Sequence, residues 1–150
     1  MIKTYYTEHE LTRDIDKIAG EYMSDHGKPD YVLGLVRGGL VPAVYLSHKF
    51  DVPMLTGRLS LRDHKSIDWS SFATTFTVLD EGKSVLVVDD MTDSGDTLNL
   101  LFDKFSFPNL KSAVLIHNLA QDSHTPDYHG RTIDKSVHDQ WIVFPWEQDI

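Results

Sequence analysis

At 150 residues the chain has room for one domain that buries about two-thirds of its unfolded surface. Its 14 basic and 23 acidic residues leave a net charge of −9, which argues against general nucleic-acid binding, because that needs a basic face to displace phosphate counterions. The absence of cysteine excludes a disulfide framework and thiolate zinc sites and suits a cytoplasmic location, and no apolar run nears the ~20 residues of a membrane span.

In chain order, Thr7-Glu8-His9-Glu10 has the form of a capping box, with Tyr6 and Leu11 placed as its staple. Leu11, Ile15, Ile18, Ala19 and Tyr22 recur at helical spacing and predict a helix to about Ser24, ended by His26-Gly27-Lys28-Pro29. Residues 31–36 read as a short buried strand, Arg37-Gly38-Gly39 as a turn, and residues 40–49 as a helix. A second strand is expected over 52–61, then a polar irregular stretch over 62–71. Residues 72–79 and 84–89 read as strands joined by Asp80-Glu81-Gly82-Lys83. A helix over 97–105 and a strand over 112–117 complete the alternation, and residues 119–139, rich in His, Asp and Pro, read as a surface excursion. Strand and helix in alternation argue an α/β fold with a mostly parallel sheet covered on both faces.

The chemistry concentrates in Val85-Leu86-Val87-Val88-Asp89-Asp90-Met91-Thr92-Asp93-Ser94-Gly95-Asp96-Thr97. An apolar run ending at two carboxylates places them at the carboxyl edge of a sheet, where open α/β sheets bind ligands. The following hydroxyl and Gly residues precede a helix and offer backbone N–H groups to a phosphate. Acids for sugar hydroxyls or a cation, next to an anion cradle, suit a ribose phosphate. Phosphoacceptor receiver domains carry such a pair near their start, whereas 88 residues precede Asp89 here. Haloacid-type phosphatases want Asp-x-Asp, and no Walker-type loop is present.

That segment resembles the phosphoribosyl-pyrophosphate (PRPP) motif of type I phosphoribosyltransferases. Val36-Arg37-Gly38-Gly39-Leu40-Val41-Pro42 resembles the pyrophosphate loop of the bacterial xanthine-guanine branch, and Gln140-Trp141-Ile142-Val143-Phe144-Pro145-Trp146-Glu147 its base-binding segment. The likeness covers nearly the whole chain. It implies the type I fold with a small carboxyl-terminal hood, and a homodimer or homotetramer. It further implies a Mg²⁺-dependent enzyme that moves the phosphoribosyl group from PRPP to N9 of guanine, hypoxanthine or xanthine. A PRPP- or nucleotide-binding regulator of the same fold, or a transferase for another base, are the alternatives.

By that resemblance Asp89 and Asp90 engage the ribose hydroxyls directly or through Mg²⁺, with Asp90 favoured as the metal contact. Asp93 sits near N7 of the purine and handles its proton while N9 attacks. Thr92, Ser94, Gly95, Asp96 and Thr97 bind the 5′-phosphate. The Asp96 side chain would repel that phosphate and is better placed capping the next helix. Arg37 and Gly38 bind pyrophosphate, and the family's non-proline cis peptide would fall at Arg37-Gly38. Ser60, Arg62 and Lys65 belong to a candidate lid, for which an ordinary exposed loop is an equal reading.

Trp141 and Ile142 are expected to sandwich the base, and Trp146 to pack in the core. Where the purine branch usually has a Lys donating to the 6-oxo group, this chain has Asn118. A neutral amide there would read either a 6-oxo or a 6-amino edge and would serve partly anionic xanthine worst. His117, His124, His129 and His138 match no common zinc spacing and are expected to be solvated. Glu147 begins what reads as an exposed tail, although the resemblance puts it near the purine's 2-position.

Overall fold

The computed structural model describes residues 1–61 and 65–147. Eight strands and four α-helices follow one another as β1 (Ile2–Tyr5), α1 (Glu8–His26), β2 (Tyr31–Val36), α2 (Leu40–Phe50), β3 (Met54–Ser60), β4 (Ser66–Asp68), α3 (Ala73–Asp80), β5 (Val85–Thr92), α4 (Asp96–Lys104), β6 (Leu110–Asn118), β7 (Tyr128–Ile133) and β8 (Gln140–Val143) among the described residues. Six strands form the main sheet in the order β4-β3-β2-β5-β6-β7, parallel except for the β3–β4 hairpin. The sheet is thus the mostly parallel one that the alternation foretold.

Period-two alternation divides the strand side chains between two cores. Val32, Leu86, Val88, Ala113 and Leu115 face α1 and α2, meeting Ile15, Ile18, Tyr22, Leu46 and Phe50. Leu33, Leu35, Val85, Val87 and Val114 face the other way, onto Phe72, Val78 and Leu79 around α3 and onto Leu98 and Leu101 of α4. Because β2 and β5 are covered on both faces, they read as continuous apolar runs in the sequence.

Three expectations are corrected. Residues 72–79 are not a strand: a 3₁₀ turn over Trp69–Phe72 runs into α3. Their β-branched and aromatic composition suggests β, yet Phe72, Thr75, Val78 and Leu79 lie on one buried helical face. Asp68 starts the turn, its Oδ1 accepting from the Ser70 N–H at 3.1 Å and Oγ at 2.5 Å. Second, the excursion over 119–139 contains β7, which extends the sheet beside β6. Its apolar signal is masked because the strand carries the half-buried Arg131, whose guanidinium is held by Asp14 (3.1 Å) and Glu10 (2.6 Å) of α1. Third, the cis peptide lies at Val36-Arg37, one residue earlier than expected.

The chain's two ends form a separate small sheet. β1 pairs parallel with β8 from Ile2↔Gln140 to Tyr5↔Val143, and the Tyr6 N–H continues the ladder to the Val143 carbonyl at 2.9 Å. Tyr6 then anchors this hood to the body. Its hydroxyl donates to Asp14 Oδ2 at 2.5 Å, its ring packs on Phe144 at 5.0 Å, and Phe144 stacks on Trp146 at 5.0 Å and 14°. Burial, the hydrogen bond to Asp14 and that carboxylate's charge hold the Tyr6 phenol well above its ordinary pKa, so it remains a donor throughout the physiological range.

Candidate active site

The cleft lies at the carboxyl ends of β2, β3 and β5 and has two lobes. The first, about 450 Å³ open to solvent, is walled by Val36, Arg37, Gly38, Ser60, Asp89 and the loop through Thr92, Asp93, Ser94, Gly95 and Thr97. The second, about 1400 Å³ with the space open to solvent included, lies under the hood and is walled by Leu40, Val41, Asp90, Lys135, Trp141, Ile142, Trp146 and Glu147. Arg37, Gly38, Met91 and Asp93 border both lobes, so the two are continuous. The first lobe is bordered by the hydroxyl and glycine residues of the β5–α4 turn, and the second carries the rings of Trp141 and Trp146.

The first lobe is built by the turn between β5 and α4. β5 does not stop at the carboxylates but runs on through Thr92, so Asp89 and Asp90 alternate to opposite faces of the sheet edge. Asp89 is half-buried and its Oδ1 accepts the Asp90 N–H at 2.9 Å; Asp90 is fully buried. Gly95 turns the chain at φ +80°, a conformation that L side chains rarely adopt, and delivers the N-terminus of α4 to the lobe. A Cβ on Gly95 would also lie 2.3 Å from Gln121 Oε1. Asp96 opens α4 as an exposed first-turn acid and lines neither lobe; it is no side-chain cap, since Gly95 holds the N-cap position. An acid in that first turn still complements the helix dipole.

Across the cleft, Gly38 lies directly on Asp90. A Cβ there would sit 2.4 Å from Asp90 Oδ2, so only glycine lets the Arg37 turn rest against that carboxylate. The β3–β4 connection begins on the same rim, where the Leu61 N–H donates to Thr97 Oγ1 at 3.3 Å. Of the candidate lid, Ser60 lines the first lobe and Lys65 is exposed outside both, while Arg62 lies outside the described residues.

In the second lobe Trp141 presents a ring that is 46% exposed, beside the buried Ile142. Trp146 packs on the core as expected and also walls the lobe, and Glu147 is half-buried in the same wall rather than an exposed tail residue. Asn118 is not where the resemblance would put it. Its Nδ2 donates to the Asp93 carbonyl (3.0 Å) and Oδ1 (3.3 Å), and its Oδ1 accepts from the N–H groups of Ala120 (3.1 Å) and Lys135 (3.2 Å). Buried at 5% exposure and absent from the lining of either lobe, the amide has no edge left for a base. The β7–β8 connection brings a cation, Lys135, into the wall of the second lobe. Lys135 Nζ lies 2.9 Å from Asp93 Oδ1 and 5.8 Å from the centre of the Trp141 ring. Nothing in the local sequence marks Lys135, because it lies in a polar stretch rich in His, Asp and Pro with no motif of its own.

The histidines also differ from expectation. His117 is buried, with Nδ1 2.7 Å from Thr92 Oγ1, and His124 Nε2 is 2.9 Å from Ser112 Oγ; of the four, only His138 is fully at the surface. Burial lowers the pKa of His117, His124 and His129, aided at His117 by the neighbouring His129 and at His129 by Lys17. In the unfolded chain these imidazoles bind protons near pH 6.5. The folded state therefore has its full stability above that pH and loses it as pH falls through the lowered values. We expect the Tm to fall between about pH 7 and pH 5, and to fall less in a His117→Asn, His124→Asn variant. Thermal unfolding of both proteins across that range checks it; parallel curves would show that these side chains contribute nothing to acid sensitivity.

A cleft at the carboxyl edge of a mostly parallel sheet, with two acids beside a glycine turn at a helix N-terminus, is the ligand-binding arrangement of open-sheet α/β proteins. The phosphoribosyl transferase domain model matches residues 1–149. A xanthine-guanine phosphoribosyltransferase of Cereibacter sphaeroides is 32% identical over 130 residues, 82% of this chain and 72% of that protein. The crystal structure of a purine phosphoribosyltransferase from Pyrococcus horikoshii superposes with a TM-score of 0.74 at 28% identity, covering 100% of this chain and 97% of that one. A Neisseria gonorrhoeae protein of unassigned function, solved with bound ppGpp, gives 0.76 at 26% identity, covering 99% and 92%. The chain belongs to the phosphoribosyltransferase family.

Proposed function

We propose that the protein is a Mg²⁺-dependent purine phosphoribosyltransferase. It joins PRPP and a 6-oxopurine to give a nucleoside 5′-monophosphate and pyrophosphate. The observation that supports this most directly is the continuity of the two lobes: a phosphate cradle and an aromatic slot meet at one carboxylate, Asp93. The names of the Cereibacter sphaeroides and Pyrococcus horikoshii relatives favour a purine as acceptor.

In this reading the 5′-phosphate lies on the backbone N–H groups of the 94–97 turn, in the positive field of the α4 N-terminus. Asp89 and Asp90 take the ribose hydroxyls, and Arg37 with the Gly38 N–H takes the pyrophosphate. Trp141 and Ile142 hold the base flat, with N9 aimed at the anomeric carbon. As the bond to pyrophosphate breaks, positive charge builds on the sugar ring and the adjacent carboxylates stabilise it. Asp93 accepts the proton from the base as N9 attacks.

Asp89, Asp90 and Asp93 crowd one cleft with Arg37 and Lys135. A polyanionic substrate therefore needs further positive charge to enter it. Among the described residues no three metal-ligating side chains converge on a point, so a cation would be shared between one or two carboxylates and substrate oxygens, as Mg²⁺ prefers. When bound, Mg²⁺ would neutralise the leaving pyrophosphate.

Mixing the protein with PRPP, Mg²⁺ and hypoxanthine or guanine should release pyrophosphate, and chelating the metal should abolish release. Binding of PRPP or ppGpp with no turnover on any base would instead favour the regulatory reading, to which the ppGpp-bound neighbour lends weight. Trp141→Ala is expected to raise the KM for the base about 5- to 100-fold, equivalent to the roughly 1–3 kcal/mol of one stacking face, and to leave the KM for PRPP nearly unchanged. Initial-rate kinetics with each substrate varied in turn measures both.

A further inference from the structure

The 6-edge of the purine is addressed by a lysine that arrives from an unexpected element. We infer that Lys135 selects 6-oxo over 6-amino purines and that Asn118 is the positioning residue that puts it there. The inference rests on the purine reading above and concerns which purine.

The geometry comes from two contacts on one carboxylate oxygen, Asp93 Oδ1, which meets both Asn118 Nδ2 and Lys135 Nζ. Asn118 uses all four of its hydrogen-bonding positions: both amide hydrogens on Asp93, and both oxygen lone pairs on the N–H groups of Ala120 and Lys135. A single buried amide thus fixes both Asp93 and the backbone of residue 135. The connection is further tightened by Asp134, whose Oδ1 accepts the Ser136 N–H at 3.0 Å and whose carbonyl accepts the His138 N–H at 3.0 Å. The lysine side chain then bridges the lobe, 2.9 Å from Asp93 Oδ1 and 5.8 Å from the centre of the Trp141 ring.

A purine carries N7 and its 6-substituent side by side on one edge, and that edge distinguishes guanine-type from adenine-type bases. A base lying on Trp141 with N7 at Asp93 brings its 6-substituent to the neighbouring donor, the Lys135 ammonium. An ammonium has three donors and no acceptor. It satisfies a 6-oxo group and is opposed by the N–H bonds of a 6-amino group. Entry of the base replaces the Asp93–Lys135 ion pair by two contacts: Asp93 accepts the N7 hydrogen of a free base, or when protonated donates that hydrogen to N7 of a nucleotide, while the Lys135 ammonium donates to the 6-oxo oxygen. A cation at this edge also reverses the ranking that a neutral Asn118 implied, since anionic xanthine regains a favourable partner.

IMP and AMP differ only at position 6, and their binding can be measured calorimetrically whether or not the protein turns over. The native protein should bind IMP about 10- to 100-fold more tightly than AMP. Lys135→Met should bring the two affinities within about threefold, chiefly by weakening IMP, and Lys135→Arg should keep most of the preference. Asn118→Ala should also erode the preference. Ribose 5-phosphate, which has no base, should bind the native protein and the Lys135 variants alike. A Lys135→Met protein that retains the native IMP-to-AMP ratio overturns the inference, as does a native protein with no preference between the two. Failure to release pyrophosphate would count against the transferase reading and leave this ratio readable.

Discussion

Asp93→Asn is expected to lower kcat about 10²- to 10⁴-fold while changing the KM for PRPP less than about threefold. Asp93 borders both lobes, is partly exposed to the cleft and is held by Asn118 and Lys135. The substitution preserves size and leaves the phosphate turn intact, but an amide oxygen is a far weaker base than a carboxylate. The lost step is therefore the removal of the base proton, which occurs only after both substrates are bound. Steady-state kinetics with each substrate varied separates the two parameters. Equal losses in kcat and in PRPP affinity would make Asp93 a binding group and remove it from proton transfer.

Gly38→Ala has a comparably large expected effect for a steric reason. The new methyl would sit 2.4 Å from Asp90 Oδ2 and 2.7 Å from its Cγ, and Asp90 is wholly buried and cannot swing into solvent. Either the Arg37 turn lifts off the sheet or the carboxylate rotates out of place. A displacement of that size in a positioning group costs about 100-fold in rate, and the overpacking itself costs about 1–3 kcal/mol of stability. We expect kcat/KM for PRPP to fall at least about 100-fold with a modest drop in Tm. Near-native kinetics would mean that Arg37 and Asp90 do not act as one rigid unit.

The sequence made the centre of this molecule legible and its periphery much less so. β2 and β5 are buried on both faces, so their apolar runs and the polar residues that end them stand out without any tertiary knowledge. The acids at 89, 90 and 93 and the Gly95 turn are local features, and local chemistry fixes them. What the sequence hid depends on partners far along the chain. β7 conceals its strand character because Arg131 is satisfied by Asp14 and Glu10, more than a hundred residues away. The helix α3 has the composition of a strand and is decided by the packing of Phe72, Val78 and Leu79 against the sheet. At Asn118 the chemistry of the amide is legible in the sequence but its surroundings are not. Only the fold reveals that its amide is consumed by Asp93 and the backbone of residue 135, and that Lys135 places an ammonium against Asp93. Likewise, the hood exists because β1 and β8, from opposite ends of the chain, pair with each other.

A crystal structure of the protein soaked with Mg²⁺ and PRPP tests the whole account at once. The account places the 5′-phosphate within hydrogen-bond distance of the backbone N–H groups of 94–97, and the ribose hydroxyls toward Asp89 and Asp90. PRPP bound away from that turn, or bound there with both carboxylates facing elsewhere, would contradict it.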